Sequence, residues 1–408
     1  EDCDGDDSVC RMSGSTTIYS GDVLFVSFAY GEEDIGTGAT GIPDMDGDGD
    51  DEFALSSDAA AYVMAGDPSL SGSTSVSAAV ATFSEEGWSQ IVAYGDGDGD
   101  GLVDLAFGSG GGTLRTYSAP YSGTLDSADA RVEWTGVSFG QGEFIGRAGD
   151  QDGDGYADVL AAGYASAASA VFVFSGAETG GGTTSDALAT ITGVSGYSDY
   201  FGEAMTGPAD FNADGVDDFA VGAPSAGGGN GRAYVFYGPV VGSMVASTAD
   251  VAIDGTGGRD TFGRSMAAMP DANGDGIEEL VAMGLSSGAF GYVLDVSSPG
   301  SMSTSSAVAN VTYDGTYGVY PTVAQPEDLD GDGHADMLLT AQQEVDCCDY
   351  AGAVYVLYGP FSGAIDLGAR DFFASTYDSS GRFDVGSAQD LDGDGYLDVF
   401  AQASRESA

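Results

Sequence analysis

Seven acidic nine-residue loops recur along this chain, beginning at Asp44, Asp96, Asp150, Asp210, Asp271, Asp328 and Asp390, with successive starts 52, 54, 60, 61, 57 and 62 residues apart. A fixed period of this length marks an array of supersecondary units, each too small to bury its own apolar face and each stacked on the next. Fold and function are therefore to be read from a ring or stack of like parts.

Every loop has oxygen-bearing side chains at its positions 1, 3, 5 and 9 and Gly at position 6, where the backbone must turn sharply around a small object. The donors are Asp44, Asp46, Asp48 and Glu52; Asp96, Asp98, Asp100 and Asp104; Asp150, Asp152, Asp154 and Asp158; Asp210, Asn212, Asp214 and Asp218; Asp271, Asn273, Asp275 and Glu279; Asp328, Asp330, Asp332 and Asp336; and Asp390, Asp392, Asp394 and Asp398. Position 7 is Asp50, Leu102, Tyr156, Val216, Ile277, His334 or Tyr396, and is expected to offer its main-chain oxygen while a non-acidic side chain there packs. Ca²⁺ takes about 6–8 oxygen ligands of this kind, whereas Mg²⁺ keeps several waters in a near-octahedral shell. Zinc and copper prefer nitrogen or sulfur donors, which these positions lack. Up to seven Ca²⁺ ions are expected. Solvated turn aspartates are the plain alternative, but chance turns do not repeat five positions seven times.

An EF-hand would need a bidentate Glu at position 12 between two helices. Here position 12 is Leu55, Phe107, Ala161, Val221, Ala282, Leu339 or Ala401. The flanks read as strands. A short apolar run follows each loop, as in residues 104–108 and 219–222. A β-branched and aromatic run comes next, as in residues 170–174 and 232–237, and a fourth run precedes the following loop. Four antiparallel strands per unit describe a propeller blade. One strand follows the seventh loop before the chain ends, and residues 16–21 and 23–29 read as the missing third and fourth strands. The expected fold is thus an all-β, seven-bladed propeller of four-stranded antiparallel blades. Its last blade is completed by amino-terminal strands, with residues 1–15 as an arm and 16–408 as the propeller. A solenoid of stacked sheets gives no reason for the strand count to balance.

The chain carries 65 acidic residues against ten Arg and no Lys, a net charge of -55, and 30 of the acids lie inside the nine-residue loops. Seven divalent ions would leave it strongly negative, a solvated surface hostile to nucleic acid and anionic lipid. No apolar stretch approaches the roughly 20 residues that cross a bilayer. No signal peptide opens the chain, as expected of a mature secreted form. Loops of this kind suit calcium-rich extracellular fluid. Cys3 and Cys10 lie in the arm, and Cys347 and Cys348 in a strand turn of the sixth unit. Links between arm and turn, or a Cys3–Cys10 bridge beside a vicinal pair, are both open.

Catalysis has little to work with. The single His, His334, sits inside a loop, the absence of Lys excludes a Schiff base, and no Ser-His-Asp set can be assembled. Adjacent carboxylates such as Glu32, Glu33 and Asp34 read as exposed turns. No enzyme activity is expected.

The loops, with Phe201-Gly202 and Gly222-Ala-Pro224, resemble the FG-GAP repeat family known from the propeller of integrin alpha subunits. The resemblance implies calcium loops on one face and ligand binding on the other, where the connections offer Tyr164, Tyr197, Tyr200, Tyr317, Tyr320 and Tyr350. Aromatics there can stack on sugars or anchor a protein. A secreted or surface-displayed recognition module for a protein or glycan is the expected function. A lectin proper, or an accessory propeller of a secreted hydrolase such as a phospholipase, is the alternative.

Overall fold

The computed structural model describes residues 14–17, 35–57, 60–67, 76–84, 88–109, 111–137, 145–165, 168–196, 198–256, 261–284, 291–312, 320–324, 327–329, 331–344, 351–367, 372–375, 381–385, 390–391, 397 and 401–405. They form an all-β propeller. In the fourth blade the strands Met205–Ala209, Asp218–Ala223, Arg232–Phe236 and Val251–Asp254 lie side by side, antiparallel and in chain order from axis to rim. The same order recurs in the first, second, third, fifth and sixth blades. The α-helix among the described residues is a four-residue turn, Ala226–Gly229, so the loops are flanked by strands.

Two expectations are corrected. The described blades have five strands, not four, and there are six of them, not seven. Each fourth strand carries a parallel fifth: Gly123–Leu125, Gly180–Thr183, Gly242–Val245, Gly300–Ser303 and Gly363–Asp366 come from the connection before the next blade's own fourth strand. Unpaired strand edges invite association, and each blade's rim is covered by its neighbour in this way. These segments are mostly exposed and rich in Gly and Ser, so they lack the alternation that reveals a strand. Gly14–Thr17 is the fifth strand of blade six, paired with Phe372–Ser375, and not the third strand of a seventh. Residues 18–21 and 23–29 lie outside the described residues, as do all four cysteines. Between blades six and one lies a two-stranded sheet, Gly381–Val385 with Ala401–Arg405, touching the inner strands of both.

The core is distributed between blades. Period-two alternation aims Phe219 and Val221 of blade four at Leu160, Val171 and Val173 of blade three, while Ala220 on the other face joins Leu280 and Leu294 of blade five. Leu391, from the last loop, packs on Phe53, Leu55 and Met64 of blade one. Side chains also join the inner strands around the axis. Thr40 accepts from the Ala93 N–H at 3.3 Å, Gln90 from Ile145 at 3.0 Å, Thr206 from Ala268 at 2.9 Å and Ser265 from Val323 at 3.1 Å. At these four junctions one blade satisfies a backbone donor on the next, which buried polar groups require.

Candidate metal centres and the opposite face

Each described loop folds by hydrogen bonding to its own carboxylates. The position 1 aspartate bridges the turn, one oxygen accepting from position 4 or 5 and the other from the Gly at position 6, at 2.6–3.1 Å in the first six loops. The position 5 oxygen accepts from position 7 at 2.8–3.0 Å. Positions 4 and 6 both take positive φ, including Gly153 at 80° and Gly155 at 90°, so the turn needs two left-handed residues. In blade four position 4 is Ala213, at φ 58°. A side chain there costs roughly 1–2 kcal/mol. Ala213→Gly is expected to stabilise the protein by about 0.5–1 kcal/mol after the added unfolded-chain entropy. A shifted denaturant midpoint at constant m-value would register it, and an unchanged or lowered midpoint would contradict the strain.

Position 9 lies at the bottom. Glu52, Asp104, Asp158, Asp218, Glu279 and Asp336 are at most 1% exposed. Each accepts from the position 2 N–H at 2.7–3.1 Å. In four loops the second oxygen also holds the end of the third strand, through the N–H of Ala119, Gly176, Gly238 or Gly359 at 2.8–3.0 Å. The residue is therefore a structural clamp as well as a candidate ligand. Position 2 anchors the loop from below, as Met45, Phe211, Ala272, Leu329 and Leu391 are buried.

Several of these groups converge on one point. Ligand oxygens of Asp44, Asp46 and Asp48, of Asp96, Asp98 and Asp104, of Asp150, Asp152 and Asp158, and of Asp271, Asp275 and Glu279 lie within 4.8 Å of one another. Burial pushes the carboxyls of Glu52, Asp104, Asp158, Asp218 and Glu279 up to about 7, loop aspartates adding to the rise and backbone donors opposing it. Glu52 Oε1 is buried without a hydrogen-bond partner, and Asn273 Nδ2 donates to Glu279. A hard cation fits this donor set, since it would satisfy the orphaned oxygen and offset the clustered charge. Asp330, Asp392, Asp394, Tyr396 and Asp398 lie outside the described residues.

The protonation equilibrium gives a signed expectation. Folded carboxyls near 7 hold protons that the unfolded chain, with carboxyls near about 4, has already released. That contribution is complete below the unfolded value and is lost as pH rises through the folded one. The metal-free protein should therefore lose stability between about pH 4 and 7, and calcium should bind more weakly below pH 7 as protons compete. Denaturant titrations in chelator at pH 5.5 and 7.5 check this, and greater metal-free stability at the higher pH would contradict it.

Position 8 was missed in the sequence. Its acids tie one loop to the next around the ring. Asp217 of blade four accepts from the Asp150 N–H at 2.9 Å, Glu278 of blade five from Asp210 at 2.8 Å, and Asp51 of blade one from Asp390 at 3.1 Å. The Asp51 N–H also donates to the Asp390 carbonyl at 2.8 Å, joining the last loop to the first blade. The available signal was an acid in three of seven loops at a position otherwise Val, Ala or Leu.

The other ends of the strands carry the expected aromatics. Tyr164, beside the hairpin of blade three, and Tyr200, in the connection to blade four, are 37% and 42% exposed. Tyr200 has φ 55°, and its neighbour Asp199 is buried, with Oδ2 accepting from Ser195 and Oδ1 unpaired. Tyr320 opens the inner strand of blade six. Tyr197, Tyr317 and Tyr350 lie outside the described residues.

With this geometry in view, the FG-GAP repeat model matches residues 201–236 and 320–357, so the chain carries FG-GAP repeats in blades four and six. It is similar to mouse phosphatidylinositol-glycan-specific phospholipase D, 42% identical over 85 residues, and to the rat protein of that name, 41% over 85 residues; these segments are 20% of this chain and 10% of each relative. Mouse integrin alpha-M is 35% identical over 96 residues, 23% of this chain and 8% of that protein. The chain thus matches about a tenth of the length of these curated relatives. No helix among the described residues is long and apolar enough to cross a membrane.

Proposed function

We propose that this protein is a calcium-stabilised, secreted or surface-displayed recognition propeller that binds a protein or glycan on the face opposite its acidic loops. The observation that carries the reading is the division of labour between the two faces. One is spent on acidic turns whose buried carboxylates lock strands together. The other presents exposed tyrosines, residues that bury large area at low entropic cost when a partner covers them.

Glycan-array and surface-proteome binding in calcium, each repeated with Tyr164→Ala and Tyr200→Ala, test the face. Loss of about 1–2 kcal/mol of affinity per tyrosine is expected at a binding hot spot. Full affinity in both variants would remove the face assignment. The phospholipase D similarity favours a second reading, an accessory propeller that positions a hydrolase. A catalytic domain elsewhere in the same gene product, with hydrolysis that falls when this propeller is deleted, would decide for it.

A further inference from the structure

We propose that the central channel is a binding site for a small organic carboxylate, with Arg147 as its charged contact. The channel runs along the axis with a volume of about 240 Å³ and is lined by the inner strands, among them residues Gln90, Arg147, Thr206, Ser265 and Thr322. Its size suits a small ligand, since sites for drug-sized molecules occupy about 300–1,000 Å³.

The lining offers donors. Thr206 and Ser265 each accept a backbone N–H, and neither hydroxyl donates to a group among the described residues, so both O–H bonds remain for an occupant. Arg147 adds a guanidinium without a hydrogen bond or ion pair among the described residues. The Glu327 carboxylate acts on it electrostatically. Burial lowers the basicity of the guanidinium and the Glu327 charge raises it. The guanidinium-bearing side chain is half-buried, and a carboxylate accepts the fork of a guanidinium in two parallel hydrogen bonds. With ten Arg and no Lys against 65 acids, an arginine aimed into the axis is not spent on solubility. This inference is independent of the tyrosine face and of calcium.

The probe is sodium succinate, titrated against sodium chloride at matched ionic strength into the full chain labelled with ¹⁵N-arginine. One Nε–Hε resonance, assigned by its loss in Arg147→Met, should move saturably with succinate and not with chloride, and succinate should raise the melting temperature. Arg147→Met should abolish both effects while melting no lower than wild type without succinate, because the half-buried guanidinium that is removed has no hydrogen bond or ion pair among the described residues. Glu327→Gln, which removes the competing negative charge, should tighten succinate binding, by up to about tenfold. Two results would overturn the proposal: equal response of Arg147 to succinate and chloride, or a lower melting temperature in both Arg147→Met and Glu327→Gln, which would make the pair a structural ion bridge. If Arg147→Met does not fold, weaker or unchanged succinate binding by Glu327→Gln overturns it as well.

Discussion

Thorough chelation is expected to lower the melting temperature of this propeller by ten degrees or more, on the order of the loss of several bound ligands at once. Metal that binds only the folded chain stabilises it by about 2.7 kcal/mol per site when free calcium is 100 times the dissociation constant. Several sites acting together then exceed about 10 kcal/mol, comparable to the whole stability of an ordinary domain. The structural reason lies in the clusters themselves: without a cation, three acidic groups share a space 4.8 Å across in four loops, and Glu52 Oε1 is buried without a partner. Calcium should restore the original melt and magnesium should do so only weakly, because the small ion keeps its waters. Differential scanning calorimetry in calcium, in magnesium and in chelator measures this directly. A melt indifferent to all three would remove calcium from the account.

The second large effect separates the two roles of an acidic loop. In blade four, Asp218 accepts from the Phe211 N–H at 3.0 Å and from the Gly238 N–H at 2.8 Å, fully buried, while Asp214 at position 5 is exposed. Asp218→Ala strands two buried backbone donors, at about 1–3 kcal/mol each, and so should cost about 3–5 kcal/mol with or without calcium. Asp214→Ala leaves those donors paired. It should reduce stability in calcium and change it by less than about 1 kcal/mol in chelator. Urea unfolding of both variants under both conditions gives the four numbers. Equal cost of the two substitutions in chelator would mean that position 9 is not a clamp.

Much of the candidate site was legible before any coordinates. Position 1 is Asp in all seven loops because one carboxylate must accept from two amides of the same tight turn, and such local hydrogen bonding depends on spacing alone. The inner four strands were legible for a similar reason, since Phe219, Ala220 and Val221 alternate between two apolar neighbours. The fifth strands were not. A segment such as Gly180–Thr183 carries no hydrophobic pattern and becomes a strand only because Val132–Thr135 of another blade offers it an edge. The same limit hid Asp51, Asp217 and Glu278, whose partners are amides in other loops, as far as 339 residues apart for Asp51 and Asp390.

The repeat, the strand order within a unit and the donor spacing of the loops are local properties, readable from period, alternation and short-range hydrogen bonding. How units join emerges with the folded ring: the borrowed fifth strand, the carboxylate ties between loops, and the axial channel lined in part by Arg147. Those features arise where the edge or side chain of one unit meets a backbone donor of another. Such meetings are set by the closure of the ring, and no short window of residues records them.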